Sequence, residues 1–283
     1  MIKPAPQRLR SLLFAPAVRP DFMAKLPDRG ADAVVLDCED ATPPNAKDEG
    51  RSNARQIAPD LIQRGCAVTI RVNGPTSEWF EADISQGLLP ELAAVVIPKV
   101  ETVAGLDHIS ALLDRAGLPE LGVVAGIETA LGVADARPLL AHPRVVAAYF
   151  GAEDFIADMG GVRTESNEEV LFARSKVALA GRLAGVATLD QVVTNFRDDE
   201  RFARESAQAR ALGYVGKLCI HPNQVAIAND AFIPSPDEVD RARRLLAAYE
   251  EAVERGVSAI DFEGQMVDEP LAAQARRIVS LGA

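Results

Sequence analysis

The sequence contains few cysteines and few histidines, and this limits the metal and redox chemistry that it can support. Its three cysteines, Cys38, Cys66 and Cys219, are widely spaced and form no CxxC pair. A disulfide framework and a thiolate zinc site are therefore not expected, and a reducing cytoplasm suits such a chain. Only three histidines occur among the 283 residues, so a cluster of imidazoles for zinc is disfavoured as well.

The chain also lacks an excess of positive charge and any long hydrophobic run. Its 30 lysines and arginines are outnumbered by 41 aspartates and glutamates, which gives a net charge of −11. This balance argues against a nucleic-acid binder and against an anionic membrane surface, although a local basic pocket for a small anion is compatible with it. Without an apolar signal core or a membrane-spanning stretch, we expect a soluble cytoplasmic protein.

What the sequence does contain is a series of short apolar runs separated by amphipathic stretches. Most runs are continuous rather than alternating, which is typical of parallel strands covered on both faces. The eight runs are residues 11–15, 33–36, 67–72, 94–97, 122–127, 145–150, 186–189 and 215–220. Helical periodicity between them, as in 102–116 and 168–184, predicts an α/β fold, a (β/α)8 TIM barrel. No GxGxxG follows the first run to favour the rival, a doubly wound open sheet.

The last sixth of the chain is not needed to close such a barrel. Residues 1–234 are expected to form the catalytic barrel, and residues 235–283 a C-terminal helical extension. Segment 235–255 is typical of a long charged helix introduced by Pro234 and Pro236, and a final helix is predicted to end at Leu281. We expect the extension to pack on the barrel, to cap its own active site, or to reach a neighbouring subunit.

Two acidic residues follow successive predicted strands. Glu128 ends the fifth run and Asp154 follows the sixth. Carboxylates at the same ends of neighbouring parallel strands would meet at one rim, and such like charges usually share a proton or a cation. Two carboxylates that leave positions open for water and substrate suit Mg²⁺, with Mn²⁺ as a substitute. The alternative is that the two acids cap the helices that follow them.

Other polar residues follow the second, third and fourth runs. Arg71 could bind a substrate carboxylate through two parallel hydrogen bonds, or it could pair structurally with the acids after the second run. The two roles are compatible. The charged residues expected to surround the metal site and Arg71 are Asp37, Glu39, Asp40 and Lys99.

Ordered motifs along the chain resemble those of a known family. They are SLLFAP from Ser11, LDCEDA from Leu36, RVN from Arg71, IPK from Ile97, GIET from Gly126, GAED from Gly151 and IHPNQ from Ile220. Together they resemble the citrate lyase β-subunit-like proteins of the HpcH/HpaI aldolase superfamily, which includes malyl-CoA and citramalyl-CoA lyases. The resemblance covers nearly the whole chain. It implies a magnesium-dependent barrel that assembles as a homotrimer or a hexamer.

The resemblance also implies roles for individual residues. Glu128 and Asp154 match the Mg²⁺ ligands, and Arg71 matches the arginine that holds the substrate carboxylate. Asp268 lies in a segment that resembles one supplying a general acid/base, in its own or a neighbouring active site. The alternative for Asp268 is a loop residue or a helix cap.

Three N-terminal residues fall at spacings that resemble thioester-binding positions. They are Phe14, Arg19 and Lys25. Arg19 and Lys25 could neutralise CoA phosphates, although isolated basic side chains are usually ordinary surface charges.

The implied activity is Mg²⁺-dependent cleavage of a 3-hydroxy-acyl thioester, of the citryl-CoA, malyl-CoA or citramalyl-CoA type. The products are an acetyl thioester and a 2-oxo acid, and the same site run backwards would perform a condensation. One alternative is the β subunit of a citrate lyase complex, which acts on a carrier-protein thioester and has the citrate lyase α and γ subunits as partners. A CoA-independent 2-oxo acid aldolase and a non-catalytic homologue are the others. The acyl acid is not determined by the motifs.

Overall fold

A computed structural model of the chain describes residues 1, 2, 4 and 8–282. Eight parallel strands form a closed barrel in chain order, because β8 pairs with β1. The strands are β1 (Ser11–Pro16), β2 (Ala33–Asp37), β3 (Val68–Arg71), β4 (Ala94–Ile97), β5 (Val123–Ile127), β6 (Val145–Phe150), β7 (Ala187–Asp190) and β8 (Gly216–Cys219). The predicted barrel is confirmed, and each strand end lies within one residue of its prediction.

Helices connect the strands and surround the barrel. Those among the described residues are α1 (Pro20–Met23), α2 (Lys47–Gln63), α3 (Phe80–Ala82), α4 (Val103–Arg115), α5 (Ala130–Ala134), α6 (Ala136–Leu140), α7 (Ala152–Met159), α8 (Glu168–Ala184), α9 (Asp199–Leu212), α10 (Pro222–Ala231), α11 (Pro236–Glu254) and α12 (Glu269–Leu281). α8 has the predicted bounds, and α4 begins where the Thr102 hydroxyl accepts the N–H of Gly105. None of the described helices is both long and apolar enough to span a membrane.

The barrel interior changes from apolar to polar along the strands. Its core contains, among others, Leu12, Val35, Val96, Val124, Ala147, Leu189 and Leu218. Because side chains alternate along a strand, the residue two positions further on also points inward. Asp37 follows Val35 in this way, and a cavity at the carboxyl ends of the strands has Asp37 in its lining. The fold thus places polar side chains where barrel active sites lie.

Charged side chains are also buried on the outside of the barrel, beneath two helices. Lys217 of β8 donates to Asp190 of β7 at 2.8 Å, and Arg174 of α8 forms two bonds to the same carboxylate at 2.9 and 3.0 Å. Glu205 of α9 lies 3.6 Å from the Lys217 ammonium. The four side chains are almost completely buried. Mutual pairing satisfies these charges, which therefore tie α8 and α9 to the barrel wall.

The chain divides into two compact units, Met1–Asn229 and Asp230–Ala283. The sequence predicted this boundary after residue 234. The second unit contains α11, a hairpin of β9 (Ile260–Phe262) and β10 (Gln265–Val267), and α12. Its core includes Leu245, Tyr249, Val267 and Ala272. The role of this unit as a cap, on its own or a neighbouring barrel, stays a prediction.

The hairpin in the second unit was not predicted from the sequence. Its strands have three residues each, and the two-residue turn consists of Glu263 and Gly264, both with positive φ (53° and 80°). Such turns usually carry Asn or Asp before the glycine. Glutamate at that position, together with the short strands, leaves little hairpin signal in the sequence.

Candidate active site

Three carboxylates and one lysine meet at the carboxyl ends of the strands. Glu128 follows β5 directly, and Asp154 lies in the first turn of α7. The Lys99 backbone N–H donates to Glu128 Oε1 at 2.8 Å. The Lys99 ammonium lies 2.7 Å from Glu39 Oε1 and 3.3 Å from Asp154 Oδ1. The structure therefore brings together the two predicted metal ligands and two of the charged residues expected around them.

Lys99 holds this position in an unusual backbone conformation. Its φ is 52°, which is uncommon for a residue other than glycine. In this conformation both its N–H and its side chain reach carboxylates. Burial lowers the pKa of Lys99, but the Glu39 hydrogen bond and the charges of Glu39, Glu128 and Asp154 outweigh burial and raise that pKa above its ordinary value. Lys99 therefore stays protonated and partly neutralises the three acids.

Glu128 is the most deeply buried of the three acids at the centre. Only 2% of the Glu128 surface is exposed to solvent. Burial raises the pKa of Glu128 to about 7, and the negative charges of Glu39 and Asp154 contribute to the rise, while Arg71 and Lys99 oppose it. A buried carboxylate with a raised pKa among like charges favours binding of either a proton or a cation.

Arg71 is paired with the acids at the end of β2 and in the loop that follows it. Its Nε and Nη2 donate to the two Asp37 oxygens at 2.7 and 2.6 Å. Its Nη1 lies 3.0 Å from Glu39 Oε2 and 3.5 Å from Asp40 Oδ2. The structural pairing that the sequence offered as an alternative is therefore present. Arg71 also lines the cavity, with its guanidinium 5.1 Å from the centre of the Phe14 ring. Its role in holding a substrate stays a prediction.

The cavity at this rim has a volume of about 430 Å³. Its charged lining residues are Asp37, Asp40, Arg71, Glu128, Glu153 and Asp154. Its large apolar and aromatic lining residues are Phe14, Pro16, Tyr149, Val192, Leu218 and Ile220. This is the size and the mixed character of a small-molecule site.

Two residues that support the site were missed from the sequence. Lys47 donates to the backbone oxygens of Cys38 and Glu39 at 3.0 and 2.7 Å, and so holds the acidic loop after β2. Tyr149 is buried beside Glu128, and burial together with the Glu128 charge raises the pKa of its phenol. Lys47 lies beyond the motif that begins at Leu36 and suggested no role, and Tyr149 looked like one more apolar strand residue. Only the packed structure shows these contacts.

Only one of the three predicted thioester-binding residues lines the cavity. Phe14 lines the cavity, whereas Arg19 and Lys25 are exposed and are not among its lining residues. Arg19 donates to both oxygens of Asp21 at 2.9 and 2.8 Å, and it stacks 3.7 Å from the Phe22 ring centre. Binding of CoA by these residues stays a prediction.

Asp268 lies in the second unit, immediately before α12. Its side chain makes no capping hydrogen bond to that helix, so the cap alternative is not realised by its carboxylate. The general acid/base role of Asp268 stays a prediction.

The donor set of the centre fits a hard divalent cation. Among the residues that the structure describes, no group of three or more His, Cys, Asp or Glu side chains could hold a metal ion. Glu39 is engaged by Lys99 and Arg71, which leaves Glu128 and Asp154 as the carboxylate pair. Two carboxylates with further positions for water and substrate suit Mg²⁺, which keeps several waters when it binds proteins. His221 is stacked on Phe196, with ring centres 4.9 Å apart, and does not provide a zinc cluster.

Known proteins resemble this chain over nearly its whole length. Residues 10–222 match a family model described as HpcH/HpaI aldolase/citrate lyase. The citrate lyase subunit beta-like protein of Deinococcus radiodurans is 51% identical over 97% of this chain and 98% of its own length. The citrate lyase subunit beta of Leuconostoc mesenteroides is 32% identical, over 96% of this chain and 92% of that protein. The mitochondrial citramalyl-CoA lyase of Rattus norvegicus is 31% identical, over 96% of this chain and 85% of that protein.

One solved structure is similar to this chain over nearly its whole length. It is the protein CitE of Mycobacterium tuberculosis in complex with magnesium, acetoacetate and coenzyme A. The TM-score is 0.82 at 31% identity, and the match covers 96% of this chain and 97% of that one.

Proposed function

Since the chain belongs to the HpcH/HpaI aldolase/citrate lyase family, we propose that it is a Mg²⁺-dependent carbon–carbon lyase. Its substrate is a 3-hydroxy-acyl thioester of CoA, which it cleaves to an acetyl thioester and a 2-oxo acid. The observation that carries this proposal is the placement of Glu128 and Asp154 at the rim of the barrel, where Lys99 contacts both carboxylates and both line the cavity. The solved relative that is 31% identical is a complex with magnesium and coenzyme A, which supports the same cofactor and a CoA thioester here.

The chemistry requires one proton to leave and one to arrive. The substrate hydroxyl loses its proton, the bond between C2 and C3 breaks, and its electron pair stays on C2 as a thioester enolate. C3 becomes the carbonyl carbon of the 2-oxo acid, next to its carboxylate. Glu128 and Asp154 would hold the Mg²⁺, whose positive charge would lower the pKa of the hydroxyl. We assign both proton transfers to the Asp268 carboxylate, from its own or a neighbouring subunit, which accepts the hydroxyl proton and delivers it to C2. The reverse sequence forms the bond by condensation.

Residues around the pair position the reacting groups. The Lys99 N–H fixes Glu128, and its ammonium contacts Asp154, so the two carboxylates keep one arrangement. Arg71 is held rigidly by Asp37 and faces the cavity, where its guanidinium can orient the substrate carboxylate.

The direct test is turnover of purified protein with citryl-, malyl- and citramalyl-CoA in the presence of Mg²⁺, with the released 2-oxo acid followed by mass spectrometry. We expect cleavage of at least one thioester, its loss with EDTA, and its recovery with Mg²⁺ or Mn²⁺. A protein that binds Mg²⁺ and turns over none of them would contradict the proposal. The 32% identity to a citrate lyase β subunit supports a second candidate, a subunit of a citrate lyase complex. That candidate requires activity on a carrier-protein thioester and none on the CoA thioesters.

We also propose that the chain assembles with copies of itself, as a homotrimer or a hexamer, in the cytoplasm. The supporting observation is a row of exposed apolar side chains on α8, namely Leu171, Phe172, Leu179 and Leu183. Phe172 is 77% exposed, and apolar side chains grouped on one helix face are typical of an interface. The three cysteines are free, which suits a reducing compartment.

A further inference from the structure

The lining of the cavity is divided into two arcs of the barrel. Every charged lining residue follows or belongs to one of the strands from β2 to β6. The opposite arc, from β7 through β8 to β1, presents mainly apolar side chains, with Thr194 as its neutral polar member. We call its apolar part the apolar wall, and it consists of Phe14, Pro16, Val192, Leu218 and Ile220. These residues belong to or follow neighbouring strands, because β8 pairs with both β1 and β7.

The cavity offers no spare positive charge on the wall side. Among the described residues that line it, Arg71 is the single cation, and Asp37 already binds it through two hydrogen bonds. The nearby Lys99 ammonium is engaged by Glu39 and Asp154. Leu218, at the centre of the wall, is only 4% exposed. Arg71 also approaches the wall at Phe14, but its guanidinium is paired with Asp37. A carboxylate placed against this wall would lose water without gaining an unpaired cation, which is unfavourable.

The substrate carbon that is cleaved carries four substituents, and the site constrains their directions. Its hydroxyl and its carboxylate belong at the charged arc, beside Glu128, Asp154 and Arg71. The carbon chain to the thioester must leave through the open mouth, since CoA is far larger than the cavity. The fourth substituent is then left facing the apolar wall. The chemistry of this wall therefore decides which fourth substituent is accepted.

We propose that the apolar wall selects substrates whose fourth substituent is hydrogen, methyl or another short alkyl group, and disfavours a carboxymethyl group. The released 2-oxo acid is then a monocarboxylate such as pyruvate rather than the dicarboxylate oxaloacetate. This inference rests on the proposed function and narrows its substrate class. We expect a preference on the order of 100-fold in kcat/KM for citramalyl-CoA over citryl-CoA, because the extra carboxylate would be buried without a partner.

Val192 is the position at which to reverse this preference. It is half-buried at the edge of the wall, so a longer side chain can enter the cavity from the solvent side. Val192→Lys places an ammonium there, and Val192→Met is the matched neutral control of similar length. Ile220→Lys and Ile220→Met form a second pair at a position that is 39% exposed and therefore tolerant of charge, should the first lysine variant fail to fold.

Two readouts test the proposal separately. Calorimetric titration of the Mg²⁺-loaded protein with pyruvate and with freshly prepared oxaloacetate measures selection without turnover. The ratio of kcat/KM for citramalyl-CoA and citryl-CoA cleavage measures the same selection during turnover. We expect wild-type protein to prefer pyruvate and citramalyl-CoA. The lysine variants should shift the ratio at least about 10-fold toward the dicarboxylates, as one new charge pair permits, and the methionine variants should not.

Three results would overturn the inference. They are equal or tighter binding of oxaloacetate by wild-type protein, binding of neither acid, and equal shifts in the methionine and lysine variants. Failure of the proposed function gives a different pattern, in which no thioester is cleaved while the calorimetric preference for pyruvate persists.

Discussion

Gly151 lies directly against the Glu128 carboxylate. A Cβ atom added to Gly151 would be 2.4 Å from Glu128 Oε2 and 2.6 Å from Glu128 Cβ, closer than Cβ atoms approach other heavy atoms. The φ of Gly151 is −101°, which any residue can adopt. Glycine is therefore required here because it leaves space for the carboxylate, and not because of its backbone freedom.

We expect Gly151→Ala to reduce kcat/KM by about 100-fold, since a displacement near 1 Å of a positioned group has an effect of this size. The Mg²⁺ affinity should fall with it. Gly161→Ala is the matched control, because a Cβ at Gly161 would meet Ile156 at an ordinary 3.4 Å. Enzyme assays and Mg²⁺ titration check both variants. Equal activity of Gly151→Ala and wild type would show that Glu128 does not need its present position.

Removing the charge of Glu128 should separate stability from metal binding. Glu128→Gln relieves repulsion from Glu39 and Asp154, so the melting temperature without metal should not decrease. The increase in melting temperature that Mg²⁺ gives the wild type should disappear, together with cleavage. Asp154→Asn, at a more exposed position, should lose cleavage as well. Thermal melts with EDTA and with Mg²⁺ provide the measurement, and a fully active double variant would contradict the metal assignment.

Arg71 is expected to matter for stability as well as for binding. In Arg71→Met, Asp37 and Glu39 lose the guanidinium that pairs with them, and removal of one partner of a buried ion pair typically costs about 3–5 kcal/mol. The Asp37→Leu/Arg71→Met double variant should recover part of this loss. Urea unfolding of the single and double variants measures the coupling. Additive losses would indicate that the pair contributes nothing specific to the fold.

The buried network outside the barrel predicts a pH dependence of stability. Although burial opposes it, the Lys217 charge and the Arg201 hydrogen bond lower the pKa of Glu205 to about 2, from 4.5. Because the folded pKa is the lower one, this stabilisation is complete above about pH 4.5 and is lost as the pH falls toward 2. It amounts to roughly 3 kcal/mol at pH 7.

Glu205→Gln should therefore be less stable than wild type at pH 7, and the difference should shrink between pH 4.5 and pH 2. Urea unfolding at several pH values measures it. Glu200→Gln, at an exposed position of the same helix, is the control and should show no such difference. If the difference in free energy of unfolding did not change with pH, the loss of stability in Glu205→Gln would be due to packing alone.

Assembly should depend on the exposed row of α8. Phe172→Ser is expected to shift the protein toward monomers, because it removes a large apolar contact, whereas Val103→Ser on α4 should not. Mass photometry at several concentrations distinguishes the two. A monomeric wild-type protein would contradict the proposed homotrimer or hexamer.

The barrel and its carboxylate pair were predictable for a simple physical reason. Buried parallel strands are short continuous apolar runs, and their carboxyl ends meet at one rim, so Glu128 and Asp154 could be placed together from their positions in the chain alone. The contact between Lys99 and Glu39 joins residues 60 positions apart and depends on closure of the barrel. The sequence predicted only that both residues lie near the metal site, and not that they contact each other.

Other features lie beyond what a single sequence reveals. Lys217 occupies a run that looks apolar, and its burial depends on Asp190 and Glu205 from other elements. The spatial need for Gly151 appears only when the Glu128 side chain is in place. Arg71 carries the same ambiguity in sequence and structure, because a guanidinium bound by carboxylates can also face a ligand.

The division of the cavity into two arcs has a consequence for how the site forms. Every charged residue of the lining lies between Asp37 and Asp154, so ribosomal synthesis completes the acidic arc well before the barrel can close. The apolar wall joins Phe14 and Pro16 from the first strand with Leu218 and Ile220 at the end of the last. Its contacts have the largest sequence separation in the barrel, and contacts of that kind form slowly. The acidic arc is therefore complete in the chain before the wall that we propose selects the acyl acid, and that wall needs both the first strand and the last.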